Sequence, residues 1–217
     1  GATHLDWGNP PLSAATGVVL SRMNRILDYR PEDLYVTVQP GCSLASLQGR
    51  LAEQNQFLPL DPYITEESTV GGLIAVNAYG PMRMQYGRWR DHILGMRVVT
   101  AAGSPTCCGG KVVKNVSGYD LPKFYTGSLG WLGIFSEFHL KTSPVPEYYQ
   151  SGLFTASDFA TVQQLGQSIL NQGLQPLSMV LCGMDYLHRS LSEQQPAAPW
   201  GMILAFAGHQ KTVRWQW

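Results

Sequence analysis

The chain has 217 residues, 15 of them Lys or Arg and 15 Asp or Glu, so its formal charge is zero. That balance excludes a nucleic-acid binder, which needs a basic face to neutralise phosphates. Charged residues are only 14% and hydrophobic ones 44%, which excludes disorder, while 23 glycines and 14 prolines call for many turns.

Val18–Leu20 and Tyr35–Val38 read as two short strands, joined by a turn over Asp28–Asp33 and closed by Pro40-Gly41. Ser43 is the expected N-cap of a helix to about Gln54, because Leu44, Leu47 and Leu51 recur at helical spacing. Pro59 and Pro62 force an extended path beyond Phe57. Small residues dominate Ser68–Gly80, where an apolar helical turn is expected directly after Gly71-Gly72. Ile93–Thr100 reads as a strand with its turn at Ala102–Pro105. Asp120 is expected to cap a helix with Leu121 and Pro122 in its first turn, ended by Gly127–Gly130.

Ile134–Lys141 is the cleanest strand. Its alternation predicts Ile134, Phe138 and Leu140 on one face and Glu137, His139 and Lys141 on the other, with His139 facing solvent. Ser143–Pro146 breaks the pattern and marks a boundary. Beyond it, Asp158–Leu170 reads as an amphipathic helix carrying Phe159, Val162, Leu165 and Ile169, and Pro176–Cys182 and Met202–Ala207 read as strands. The longest uncharged hydrophobic patch, Gly201–Ala207, falls far short of a membrane span. The fold class is α+β.

Cys42, Cys107, Cys108 and Cys182 form no C-x-x-C pair, and the five histidines are scattered, so free thiols and no metal are expected. Neither a P-loop nor a G-x-G-x-x-G after a strand is present; Gly127–Gly133 runs G-x-x-G-x-x-G and precedes its strand. No G-x-S-x-G elbow occurs, and the paired carboxylates Glu66-Glu67 read as an exposed loop, which argues against a hydrolase. Three glycine clusters remain: Gly1, Gly71-Gly72 and Gly127/Gly130/Gly133. Either they serve backbone geometry, or their N–H groups at helix starts form an anion site without charged side chains.

Ser68-Thr69-Val70-Gly71-Gly72, then Tyr86-Gly87 with Arg90-Asp91 and Leu94-Gly95, then Gly109–Leu121 and Gly127–Ile134 follow one another in a characteristic order and spacing. Together they resemble the FAD-binding domain of the vanillyl-alcohol-oxidase (PCMH-type) flavoproteins. The block Gly109–Leu121 is narrower, and resembles the E-subunit family of bacterial glycolate oxidases. The resemblance implies a PCMH-type FAD-binding domain of two α+β subdomains over residues 1–146, its first lobe incomplete, and the start of an α+β cap domain over 147–217. It implies a chain cut at both ends, with Gly1-Ala2-Thr3-His4 the tail of a first pyrophosphate loop, and weak or no FAD retention by these residues alone.

By position, the resemblance puts Gly1, Ala2 and Thr3 at the pyrophosphate and Asp61 with Thr69, Val70, Gly71 and Gly72 on the second wall. Asn77 and Gly80 fall in the following segment, and Gly133 and Ile134 along the adenosine or ribityl portion. FAD is expected to be non-covalent, since Ala2 stands where some relatives carry the attaching His. Glycolate oxidation to glyoxylate, electrons passing to a D-type flavin subunit and an iron–sulfur F-type subunit, and a cytoplasmic chain that reaches a membrane only through partners are likewise implied. No catalytic base is identified.

Trp131 stands where the family has Thr, and either crowds the flavin or packs outward; Ser117 replaces an Ala. Trp131 and Ala2 together motivate an alternative, a non-catalytic scaffold subunit with weak or lost flavin binding. Arg90 and Asp91 read as a loop ion pair or turn residues and not as catalysts, while Lys114, Asn115, Tyr119 and Asp120 read as a subdomain contact or a subunit surface.

Overall fold

A computed structural model describes residues 16–63, 67–110, 120–183, 185–186 and 198–217. In chain order the first elements are β1 (Ile26–Arg30), β2 (Tyr35–Val38), α1 (Leu44–Ala52), β3 (Gln56–Phe57) and α2 (Val70–Val76). Then come α3 (Arg83–Tyr86), α4 (Trp89–His92), β4 (Ile93–Val99), β5 (Pro105–Gly109), α5 (Leu121–Tyr125), β6 (Ile134–Lys141) and β7 (Ser143–Pro144). The last are β8 (Tyr148–Ala156), α6 (Phe159–Asn171), β9 (Ser178–Gly183), β10 (Trp200–Gly208) and α7 (Gln210–Gln216). They divide into two units, one drawn from residues up to Tyr79 with Arg88–Pro144, the other from Gly80–Gly87 with Val145–Trp217.

The first unit is built on an antiparallel five-stranded sheet in the order β1-β2-β6-β4-β5. Leu44, Leu47 and Leu51 of α1 and Val70, Leu73 and Ile74 of α2 share one buried core with Val36, Val38, Met96, Val98, Phe138 and Leu140. Ser43 caps α1 by accepting from Ser46 N at 3.1 Å, as its position predicts.

Val18–Leu20 is not a strand; the partner of β2 is Ile26–Arg30. The reason lies in the turn, a 3-10 turn at Pro31–Asp33 closed by Leu34 in the left-handed region at φ 54°, which is shorter than the sequence suggests. Asp28–Arg30 therefore lie within β1, and Asp28 Oδ2 accepts from the Tyr35 hydroxyl at 2.9 Å. Helix α2 also starts earlier than expected, at Val70, so the glycine pair lies inside its first turn. β5 had no expectation attached to it.

The alternation of β6 is interrupted. Arg97 pairs with Glu137 but Val98 pairs with Phe135, so Ser136 is an extra residue in the ladder. The bulge puts Phe135 and Phe138 together in the core, rings 5.2 Å apart, and turns Ile134 out to 40% exposure. His139 is buried, contrary to the solvent-facing expectation. Its Nδ1 lies 2.9 Å from Thr37 Oγ1 of β2 and its Nε2 3.4 Å from Glu137 Oε1 of its own strand, and these supply the polar partners its burial requires.

The second unit has a three-stranded antiparallel sheet, β8-β10-β9. Val162 and Ile169 of α6 and Val213 of α7 pack with Met202, Leu204 and Phe206 of β10. Phe159 and Leu165, expected on the apolar face of α6, are more than a third exposed; Gly166 takes the inner position, against Met179 and Met202. β8 and α7 were not expected. Residues 80–87, which the sequence reading leaves in the first domain, belong to this unit: Met82 and Tyr86 pack on Leu177, Ala205 and Ala207. Among the described residues, no helix is long and apolar enough to cross a membrane.

Candidate functional site

Within the first unit lies a cleft of about 640 Å³. Part of its lining comes from the start of α2 (Thr69, Gly71, Gly72, Ala75) and part from the chain leading into β6 (Gly130, Gly133, Ile134, Phe135). Val18–Ser21, Pro40-Gly41 and Glu67 complete it. Most of these residues are small or apolar. Among those described, Glu67 is the one charged residue.

The glycines of the cleft do two different jobs. A Cβ on Gly71 would lie 2.6 Å from Pro40 Cβ, and one on Gly133 2.7 Å from Val98 Cγ1 and 2.8 Å from Val99 O. These two let one backbone pack on another. Gly72 and Gly130 differ: a Cβ there would meet only Thr69 Oγ1, at 3.1 Å, and nothing within 4 Å, respectively. Those two faces are open to a ligand. Gly41 is pinned where Leu20 crosses it, with a Cβ landing 2.4 Å from Leu20 O.

The first amides of α2 are not available to an anion. Val70 N donates to Cys42 O at 2.9 Å, Gly71 N to Pro40 O at 2.8 Å and Gly72 N to the capping Thr69 Oγ1 at 3.2 Å. All three are spent within the protein, which removes the anion-site reading of the Gly71-Gly72 cluster. Cys42 itself is buried beside them, and burial pushes its thiol up from the ordinary value.

Of the residues singled out in the sequence, Thr69, Gly71, Gly72, Gly133 and Ile134 come together in the cleft. Val70 neighbours them but its side chain is fully buried in the core. Asp61 does not line the cleft, and Gly80 falls in the second unit. Asn77 ends α2 in the left-handed region at φ 52°, its Oδ1 buried without a hydrogen-bond partner among the described residues. Gly1, Ala2 and Thr3 lie outside the described residues, as do Lys114, Asn115, Ser117 and Tyr119. Asp120 caps α5 and pairs with Lys123 at 2.7 Å. Asp91 accepts from Arg88 N at 2.8 Å, the turn role read for it. Trp131 is 85% exposed and is not part of the lining, so the outward alternative holds.

Sequence reasoning did not find Val18–Ser21, Pro40-Gly41 or Glu67 as site residues. No local signal marks the first two, because what brings them in is the crossing of Leu20 over Gly41. Glu67, paired with Glu66, reads in the sequence as part of an exposed loop.

A family profile described as "FAD binding domain" matches residues 3–109. The chain is 35% identical over 167 residues to glycolate oxidase subunit GlcE of Escherichia coli (strain K12), covering 76% of the chain and 46% of that protein. It is 38% identical over 145 residues to glycolate oxidase subunit GlcD of Bacillus subtilis (strain 168), covering 67% and 31%. D-lactate dehydrogenase of Anaerostipes hadrus is 37% identical over 145 residues, covering 67% and 30%. The chain thus spans less than half the length of these relatives. Two structures of alkyldihydroxyacetonephosphate synthase share the fold at TM-scores of 0.77 and 0.79 and 23% identity, covering 90% and 95% of the chain and 39% and 42% of theirs. A cleft lined by small and apolar residues, with two open glycine faces, fits the ring and sugar portions of a flavin dinucleotide. The chain thus contains an FAD-binding domain, with FAD as cofactor, and is similar in sequence to glycolate oxidase subunits and in fold to alkyldihydroxyacetonephosphate synthase.

Proposed function

We propose that this chain is the FAD-binding part of a glycolate oxidase subunit, in which a 2-hydroxy acid is oxidised to the 2-oxo acid and electrons pass to partner subunits. The similarity to glycolate oxidase subunit GlcE, over three quarters of the chain, carries this reading. Similarity to subunit GlcD and to a D-lactate dehydrogenase supports the substrate class. The partners are a D-type flavin subunit and an iron–sulfur F-type subunit in the cytoplasm, with any membrane contact made through them. Residues 1–146, apart from 80–87, are read as the FAD domain, and 147–217 as the beginning of a cap.

Bound FAD supplies the two-electron acceptor. What this chain's own residues contribute is a place for it. Gly72 and Gly130 leave room for close approach, and Val18, Val19, Ile134 and Phe135 give an apolar lining. The cofactor is taken as non-covalent because Ala2 stands where some relatives carry the attaching His.

The second reading, a scaffold subunit with weak flavin binding, draws on the spent amides of α2. One experiment separates the two. The full-length protein is purified and reconstituted with FAD, and its visible flavin absorbance is followed on adding glycolate, alone and with the D-type subunit. Retained flavin that bleaches, in either setting, supports the first reading. Bleaching only with the partner assigns electron transfer to this subunit. Absence of flavin after reconstitution leaves the scaffold.

A further inference from the structure

We infer that Glu67 is a specificity-determining residue of the cleft, accepting hydrogen bonds from the hydroxyls of a sugar portion of FAD and holding the diphosphate away from the wall formed by the start of α2. The inference rests on the reading of this cleft as the FAD site.

Three observations converge on it. Glu67 is the one charged residue among the described lining, and no Lys or Arg is there to offset it. A diphosphate beside a carboxylate is repelled, and a cleft with apolar walls screens that repulsion less than open water does. The neighbouring wall has little to offer an anion in return. The first three amides of α2 go to Cys42 O, Pro40 O and Thr69 Oγ1. The Thr69 hydroxyl oxygen is thereby engaged as the cap.

The same wall is well suited to a neutral polyol. A carboxylate is an acceptor with two oxygens, and a pair of neighbouring hydroxyls is the donor set that matches it. The open face of Gly72 gives a sugar carbon chain room to lie against the helix. FAD carries two such portions, the ribityl chain and the adenosine ribose, and the chemistry that Glu67 recognises is shared by both.

The test uses the full-length protein, freed of flavin and titrated with FAD by flavin fluorescence, as wild type, Glu67→Gln and Glu67→Ala. Glu67 is exposed at the cleft, so both variants keep the wild-type melting temperature. The expected result is a Kd for FAD raised about tenfold or more by Glu67→Ala, since hydrogen bonds to a charged group are the stronger kind. Glu67→Gln, which keeps one carbonyl acceptor, loses less. Riboflavin and adenosine as competitors then locate the sugar: the one whose affinity falls in Glu67→Ala supplies the hydroxyls. Tighter FAD binding by both variants, with wild-type affinity rising with salt, would place the diphosphate at Glu67 and overturn the inference. Unchanged FAD affinity in both variants overturns it too. If the wild type itself takes up no FAD, the reading of the cleft falls first and this inference with it.

Discussion

Gly71 and Gly72 are adjacent, yet substitution separates them. Gly71→Ala would drive a Cβ into Pro40, 2.6 Å from its Cβ and 2.8 Å from its carbonyl oxygen, so α2 has to move. Overpacking of this kind costs on the order of 1–3 kcal/mol, measurable by denaturant unfolding. Gly72→Ala asks only that the Thr69 hydroxyl yield slightly, and leaves stability within about 0.5 kcal/mol. Its Cβ occupies the open face instead, so FAD affinity falls while the unfolding midpoint does not. The pair was legible in the sequence as a motif, but the division of labour was not, because Pro40 is remote in the chain. The thiols give a second residue-scale test. Cys42, Cys108 and Cys182 are buried, and burial raises all three thiols from their ordinary value, whereas Cys107 is exposed. The native chain should therefore react with a thiol reagent at Cys107 alone and at the other three only once unfolded.

Elements whose ends are fixed locally were the most readable. Ser43, Asp120 and Asp158 each cap the helix that follows through a hydrogen bond from the backbone N–H three residues on, a signal contained within four residues of sequence. Ser43→Ala should cost about 1 kcal/mol of the first unit's stability. Asp158 adds a pH dependence. Thr161 N and Oγ1 both donate to its carboxylate at 2.8 Å and hold it below the ordinary carboxylate value. A depressed value in the folded state means that the stabilisation is present above the unfolded Asp value, about 3.9, and is lost as the pH falls through the folded one. Asp158→Ala should therefore melt at a lower temperature than wild type near neutrality, and the gap should close below about pH 4. Strands were less readable, for a physical reason: β1 and β5 are edge strands, and β6 hides an extra residue at Ser136 that only pairing with β4 reveals. His139 was misread along with it, since one of the two partners that satisfy it in burial, Thr37, comes from β2 and is remote in the chain.

At the scale of the whole chain, the FAD-domain motifs supplied Thr69, Gly71, Gly72, Gly130, Gly133 and Ile134 of the cleft, but the run of sequence did not disclose that residues 80–87 belong with the second unit. Helix α3 is four residues long and too short to announce a destination. Its allegiance comes from Met82 and Tyr86, which pack on Leu177, Ala205 and Ala207, and from Gln85 Nε2, which donates to Ala207 O at 3.3 Å. Burial there raises the Tyr86 phenol from its ordinary value, so Tyr86 contributes at neutral pH as a largely apolar ring. Tyr86→Ala removes that ring from a partly buried position, at a cost on the order of 1–3 kcal/mol. The cost should fall on one unit. Native-state hydrogen exchange should show faster exchange in β9 and β10, with β4 and β6 unchanged, because local opening free energies follow the cooperative unit to which a residue belongs. Equal loss of protection in both sheets would mean that the segment stabilises the first unit as well, and that the chain opens as one body, not as two.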